Sequence, residues 1–199
     1  MASFSDQPIG EGVPLVARTR YGRAARDRLR TLWRPRYAGA AAVALPLVAF
    51  AFLRFGAGGR FAVAAFFIAS LCLLSAIDLA EHRLPNRIVL PSAAVVLLAQ
   101  TALFPDRAFE WALAALGASF LLLLFWCVYP EGLGLGDVKL ALLLGAALGS
   151  TVLTALFLGV VAASVYALFL LARDGADARK QTIPLGPFLA FGAIAVLLV

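Results

Sequence analysis

Long apolar blocks alternate with short polar breaks along most of the chain, and this pattern limits the possible fold more than any other sequence feature. A helix needs about 20 apolar residues to cross the hydrocarbon core of a bilayer. Hydrophobic residues make up 63% of the chain and charged residues 14%, whereas an ordinary soluble domain has about 45–50% and about 25%. The pattern therefore predicts an all-α fold, a polytopic bundle of transmembrane helices.

Seven blocks are candidate spans, and glycine, proline or charged residues mark the breaks between them. They cover approximately residues 37–53, 61–79, 88–104, 109–129, 138–148, 151–172 and 183–199. We expect Pro91 in the first turn of the third helix, where its missing N–H does little harm. The chain thus divides into a basic tail, 1–36, and a membrane-embedded domain, 37–199.

The tail is rich in arginine, and the formal net charge of the whole chain is +6. The tail arginines are Arg18, Arg20, Arg23, Arg26, Arg28, Arg30, Arg34 and Arg36. Such an arm could bind nucleic acid, or it could set the membrane topology and contact anionic lipid. We favour the second interpretation because the arginines lead directly into a membrane segment. Membrane lipid is then an expected partner and nucleic acid is not.

The distribution of basic residues also predicts the orientation of the helices. With seven spans and a cytoplasmic tail, fourteen Lys and Arg residues lie inside, and three, Arg54, Arg60 and Arg107, lie outside. If residues 138–172 formed one long helix instead, eleven would lie inside and six outside. The positive-inside rule therefore favours a hairpin at Gly149-Ser150. We predict a multi-pass protein of the inner (plasma) membrane with its N terminus in the cytoplasm.

Two aspartates lie at the cytoplasmic ends of separate spans in this topology. Asp78 follows an apolar run and is expected about one turn inside the end of its helix, where a carboxylate is unfavourable. It could also be an ordinary interfacial residue whose carboxylate reaches water. Asp137 follows the glycine-rich segment 132–136 and could simply be the N-cap of the next helix. Glycines beside an acid also let another backbone approach it closely.

Two acids at one depth, on different helices, suggest a shared site. Two close carboxyl groups do not both ionise easily, so one keeps its proton. One carboxylate can then activate a water molecule while the other acid donates a proton, which is aspartic protease chemistry. Asp137 begins a helix and Asp78 lies near the end of one, so the helix dipoles favour charge on Asp137. We hypothesise that Asp137 starts as the base and Asp78 as the acid.

At these residues the sequence resembles the prepilin peptidases, membrane-embedded aspartic proteases of type IV pilus and related secretion systems. Three segments carry the resemblance, and together they cover about residues 71–190. They are Asp78 with Arg83-Leu84-Pro85-Asn86 and Pro91, then Gly134-Leu135-Gly136-Asp137-Val138-Lys139, and finally Ile183-Pro184-Leu185-Gly186-Pro187-Phe188-Leu189-Ala190. The fold implied by the resemblance is that of a G-x-G-D intramembrane aspartic protease.

The resemblance implies that Asp78 and Asp137 form the catalytic pair and that neither a metal nor another cofactor is needed. The resemblance further implies that the substrate is a pilin-like precursor whose apolar helix lies in the bilayer, cleaved after a glycine at the end of a short basic leader. The resemblance also suggests substrate-binding roles for further residues in the second and third segments. These are Gly134, Gly136, Lys139, Pro184 and Pro187. Lys139 could instead be an ordinary interfacial lysine.

The sequence differs from the longer bacterial members of this family, which carry a cytoplasmic domain with paired cysteines that is associated with N-methylation. Here the first loop covers only residues 54–60, and Cys72 and Cys127 lie in apolar blocks, where we interpret both as packing residues. N-methyltransferase activity is therefore not expected. Two other functions stay open, a proton- or cation-coupled transporter and a non-catalytic membrane assembly protein. The sequence leaves the oligomeric state open.

Overall fold

The computed structural model describes residues 35–130, 133–175 and 184–199, and these residues form seven α-helices. The helices are α1 (Pro35–Phe55), α2 (Gly59–Glu81), α3 (Asn86–Leu103), α4 (Ala108–Val128), α5 (Leu135–Leu148), α6 (Val152–Asp174) and α7 (Gly186–Leu198). Each helix coincides with one of the seven apolar blocks, so the all-α bundle expected from the sequence is confirmed. Most of the basic tail lies outside the described residues, and its division from the rest of the chain stays a prediction.

Four helical stretches of the described residues are long and apolar enough to cross a membrane. They are Gly59–Glu81, Asn86–Leu103, Pro105–Val128 and Leu135–Asp174, the last of which contains both α5 and α6. The apolar helices Gly39–Phe55 and Gly186–Leu198 are shorter. These lengths and compositions belong to a helical membrane protein, and the number of full crossings stays a prediction.

The 14-residue helix α5 lies at the centre of the bundle. Ten of its residues are buried, around almost the whole circumference of the helix, as expected for a helix that is apolar on all sides. It packs against α2, α3, α4 and α7. At about 1.5 Å per residue it is about 21 Å long, shorter than the hydrocarbon core of a bilayer, which is about 30 Å thick.

The break between α5 and α6 is a turn that reverses the chain. Gly149 has φ +59°, a left-handed conformation that ends α5, and a single 3₁₀ turn over Gly149–Thr151 leads into α6. Helices α5 and α7 run in the same direction, because both begin beside Asp78 and both end at a cavity that Leu148 and Leu197 line.

Helix α6 runs against α7. Ala155 in the first turn of α6 lies beside Gly192 of α7, whereas the later residue Gly159 lies beside the earlier residue Leu189. Since α7 is parallel to α5, helices α5 and α6 are antiparallel. The hairpin predicted from the basic residues is confirmed, and a single continuous helix over 138–172 is excluded.

Glycines set the distances between neighbouring helices. A Cβ atom on Gly145 of α5 would lie 2.5 Å from Ala115 Cα of α4. A Cβ on Gly192 of α7 would lie 2.7 Å from the Gly159 nitrogen of α6. Lipid tails are as apolar as leucine, so helices in a bilayer associate through close packing rather than through burial from water. Small residues at these contacts are therefore structural requirements.

Three details of the sequence interpretation are wrong. Pro91 lies inside α3, the sixth residue of that helix, because the helix begins at Asn86 and not at residue 88. Asp137 is not an N-cap, since α5 begins at Leu135 and Gly134 occupies the cap position. Cys72 is buried as expected, but Cys127 is exposed on α4 and does not pack in the interior.

We predict that Gly192→Ala destabilises the bundle by about 1–3 kcal/mol, because the new methyl group overlaps the backbone of α6. Gly117→Ala on α4 is the matched control, since a Cβ there meets nothing within 4 Å. Reversible unfolding in detergent micelles measures both effects. Equal stability of the two variants would contradict the role assigned to the glycine contact between α6 and α7.

Candidate active site

Three segments that are distant in sequence meet at one end of the bundle, where α2 ends and where α5 and α7 begin. Asp78 is the fourth residue from the end of α2, and Asp137 is the third residue of α5. Helix α2 contacts both α5 and α7, and the carboxyl groups of Asp78 and Asp137 are close enough to interact electrostatically. The structure thus brings together the two acids that the sequence analysis singled out.

The Asp78 carboxyl group is buried, with 6% of the residue exposed. Its Oδ2 atom accepts a hydrogen bond of 3.0 Å from the backbone N–H of Gly186, the first residue of α7. The first N–H groups of a helix have no partner inside it and carry partial positive charge. The start of α7 therefore satisfies the Asp78 carboxyl and opposes the negative end of α2.

Gly186 is a site residue that the sequence analysis missed. A Cβ atom at this position would lie 2.6 Å from Asp78 Oδ2, so only glycine lets the backbone N–H approach the carboxyl so closely. The residue stands inside the third segment of the family resemblance, which was the available signal. Its contribution comes from a backbone N–H, and a pattern of side chains does not indicate which backbone N–H groups face a carboxyl group.

Asp137 is 9% exposed and is fixed by a reciprocal pair of hydrogen bonds with Gly134. The Asp137 N–H donates to the Gly134 carbonyl at 3.0 Å, and the Gly134 N–H donates to Asp137 Oδ2 at 3.3 Å. Among the described residues, both acids use Oδ2 for these bonds, and no hydrogen bond is made by Oδ1 of either. Each carboxyl thus has one anchored oxygen and one that can take another partner.

The connection between α2 and α3 is held against the first turns of α5. A Cβ on Gly136 would lie 2.9 Å from Leu84 Cβ, so the glycine makes room for the Leu84 side chain. Lys139 Nζ donates to Asn86 Oδ1 at 2.8 Å. The first and second segments of the family resemblance therefore contact each other directly, and Lys139 is bound to the side chain of the first residue of α3.

Two of the predicted substrate-binding residues, and His82, which directly follows α2, lie beside this arrangement. Pro187 is the second residue of α7, a position that suits proline, and Pro184 is half-buried just before the helix. His82 is exposed and ends α2 with φ 50°, and its N–H donates to the Asp78 carbonyl at 2.8 Å. Substrate contacts by Gly134, Gly136, Lys139, Pro184 and Pro187 stay predictions. Within the described part of the chain, no three side chains of the metal-binding types come together.

Several known proteins are similar to this chain. Residues 65–172, just over half of it, match the model of the type IV leader peptidase family. A prepilin leader peptidase/N-methyltransferase of Pseudomonas putida is 38% identical over 143 residues, 64% of this chain and 46% of that protein. A protein of the same name from Burkholderia pseudomallei is 34% identical over 161 residues, 76% of this chain and 50% of that one.

A third protein of that name, from Bacillus subtilis, is 28% identical and matches 81% of this chain and 65% of its own length. The chain spans about half the length of the first two relatives. No solved structure matches it significantly.

We predict that the Lys139–Asn86 contact contributes a coupling energy of about 0.5–1 kcal/mol to the free energy of unfolding. A double-mutant cycle with Lys139→Ala and Asn86→Ala, unfolded in detergent micelles, measures it. Lys139→Ala combined with Gln100→Ala is the control, because Gln100 bonds the Ala147 carbonyl at the opposite end of the bundle. Additive effects in both cycles would show that the Lys139 ammonium does not stabilise the start of α3.

Proposed function

We propose, from the premise that this chain belongs to the type IV leader peptidase family, that it is an aspartic endopeptidase for prepilin-like precursors. It would remove the leader peptide of such a precursor at the cytoplasmic face of the membrane. The observation that carries the proposal is the meeting of Asp78 and Asp137, 59 positions apart in sequence, at one end of the bundle. The family resemblance seen in the sequence is confirmed by the family match.

The two carboxyl groups can divide the work of peptide hydrolysis between them. The ionised carboxylate takes a proton from water, the water oxygen attacks the peptide carbonyl carbon, and the neutral acid protonates the carbonyl oxygen. The first residue then gives its proton to the amine nitrogen as the C–N bond breaks, and the diol proton returns to the second residue. This cycle needs one shared proton at its start, which two interacting carboxyls favour.

The hydrogen bonds of the site support this division. Backbone N–H groups of Gly134 and Gly186 hold one oxygen of each carboxyl, and among the described residues Oδ1 of each makes no hydrogen bond, so it can bind water or the scissile peptide. Groups held in place in this way need little reorganisation during the reaction. The start of α7 opposes the α2 dipole at Asp78, so helix dipoles alone do not decide which acid is the initial base. That order stays a hypothesis.

The distribution of basic residues supports a cytoplasmic site. Among the residues whose side chains the structure describes, the basic ones at the end that carries the acids are Arg83, Arg87, Lys139 and Arg173. Those at the opposite end are Arg54, Arg60 and Arg107. By the positive-inside rule, the end of the bundle that carries the acids faces the cytoplasm. The proposal places the protein in the inner membrane of the cell, with its N terminus also in the cytoplasm.

The other functions are less well supported. A transporter uses ionisable groups near the middle of the membrane, whereas both acids lie at helix ends. A non-catalytic assembly protein gives no reason for two buried acids to share a site. The relatives' name also includes N-methyltransferase. The proposal does not extend to that activity, and its absence stays a prediction.

We predict that Asp78→Asn and Asp137→Asn each reduce kcat/KM for a prepilin-like precursor by about 10³-fold or more, because an amide can neither accept nor donate the required proton. Purified protein in detergent is mixed with the precursor, and cleavage is followed by mass. Asp106→Asn is the matched control, an exposed aspartate at the opposite end. Unchanged cleavage by either variant at the site would remove that residue from the mechanism.

We further predict that the two ends of the bundle are labelled from opposite sides of the membrane. Single cysteines are introduced as Glu81→Cys and Asp106→Cys after Cys72 and Cys127 are replaced by alanine. Neither change alters the count of basic residues. A membrane-impermeant maleimide should label only the Asp106→Cys protein in intact cells and both proteins after lysis. Labelling of the Glu81→Cys protein in intact cells would reverse the proposed orientation.

A further inference from the structure

An apolar groove, which we call the lateral groove, lies between α1, α2 and α7 and opens at the outer surface of the bundle. Its volume is about 840 Å³. Val43 of α1 and Phe191 of α7 stand on two of its walls, and both are more than half exposed. The groove is separate from the cavity at the opposite end of the bundle, which Arg60 and Arg107 line.

The lateral groove is continuous with the candidate active site. Leu79 and Ala80 line it and directly follow Asp78 in α2. Pro187 also lines it and directly follows Gly186, whose N–H is bonded to the Asp78 carboxyl. A molecule that fills the groove therefore touches the same turn of α2 and the same turn of α7 that hold this acid.

The size and the lining of the groove suit one apolar helix. A helix is about 10 Å across, so about two of its turns would fill a volume of this size. Small residues of all three helices line the groove, among them Gly39, Ala76 and Ala195. Small side chains let helix backbones approach each other closely in lipid. A helix also pairs its own backbone N–H and C=O groups, which lipid tails cannot hydrogen-bond.

We propose that the lateral groove binds the apolar membrane helix of the precursor substrate, an inference that rests on the proposed function. The bound helix would lie in the bilayer beside α2 and α7. Its cytoplasmic end would reach Leu79 and Ala80 at the end of α2 and Pro187 at the start of α7. The substrate residues that precede this helix, in an extended conformation, would then reach the acid pair.

This arrangement explains how a substrate anchored in lipid could reach a site at the end of a bundle. The substrate enters sideways and does not leave the bilayer, so no polar backbone has to cross the hydrocarbon core. Lipid tails compete for the same apolar surface, so affinity depends on the fit of side chains. Changing the shape of the groove should therefore weaken binding of the precursor helix without affecting Asp78 and Asp137.

The first test compares two substrates. One is the precursor with its apolar helix, and the other is a short peptide that spans the cleavage site and lacks this helix. We expect Phe191→Ala and Val43→Trp each to raise KM for the precursor by about five-fold, with little change in kcat/KM for the peptide. Matched controls are Phe120→Ala on α4 (66% exposed, against 62% for Phe191) and Val95→Trp on α3 (49%, against 56% for Val43).

Wild-type cleavage of the precursor by the groove variants would overturn the proposal. An equal loss of kcat/KM with both substrates would also overturn it, because the variants would then disturb the acids and not the binding of the helix. Failure of the wild-type protein to cleave either substrate would instead contradict the proposed function itself.

A second test does not depend on turnover. In an Asp137→Asn protein without its native cysteines, Val43→Cys should form a disulfide with single cysteines placed along one face of the precursor helix. Val95→Cys should not. Crosslinks that form equally at both positions, or only at Val95→Cys, would place the precursor helix outside the groove. This result can be read even when a variant is folded but inactive, because crosslinking does not require cleavage.

Discussion

The hydrogen bond from the Gly186 N–H to the Asp78 carboxyl ties the end of α2 to the start of α7. A buried carboxyl without such a donor would be strongly unfavourable at the negative end of a helix. The bond requires that α7 begin beside the acid. This in turn requires that α6 return the chain to that end, and hence that the chain reverse at Gly149. The geometry of one acid thus constrains the path of the last three helices.

Close backbone contacts make this path possible. Gly145, Gly159 and Gly192 let α4 to α7 approach each other more closely than any side chain would permit. Gly136 does the same for the loop that contains Leu84. In lipid, where burial from water contributes little between helices, these contacts and the few polar bonds across helices determine the arrangement. The active site is therefore supported by packing that contains almost no polar group.

Much of the bundle could be predicted from the sequence, because block length and basic-residue distribution reflect the bilayer directly. The positions of Asp78 and Asp137 at one end followed from the same rules. The helix starts at Asn86 and Leu135 were misplaced by two or three residues. Glycine- and proline-rich segments offer several possible starts, and tertiary contacts select one. Gly186 was missed because a backbone N–H leaves no mark in a side-chain pattern.

The donors that face the two acids belong to the main chain, at Gly134 and Gly186. Every residue except proline has such an N–H, so exchanging side chains cannot remove either donor. A replacement at Gly186 acts through its bulk, by pushing the carboxyl away. The positions of these two main-chain donors thus depend on where two helices begin, and redirecting the donors by design would mean moving a helix.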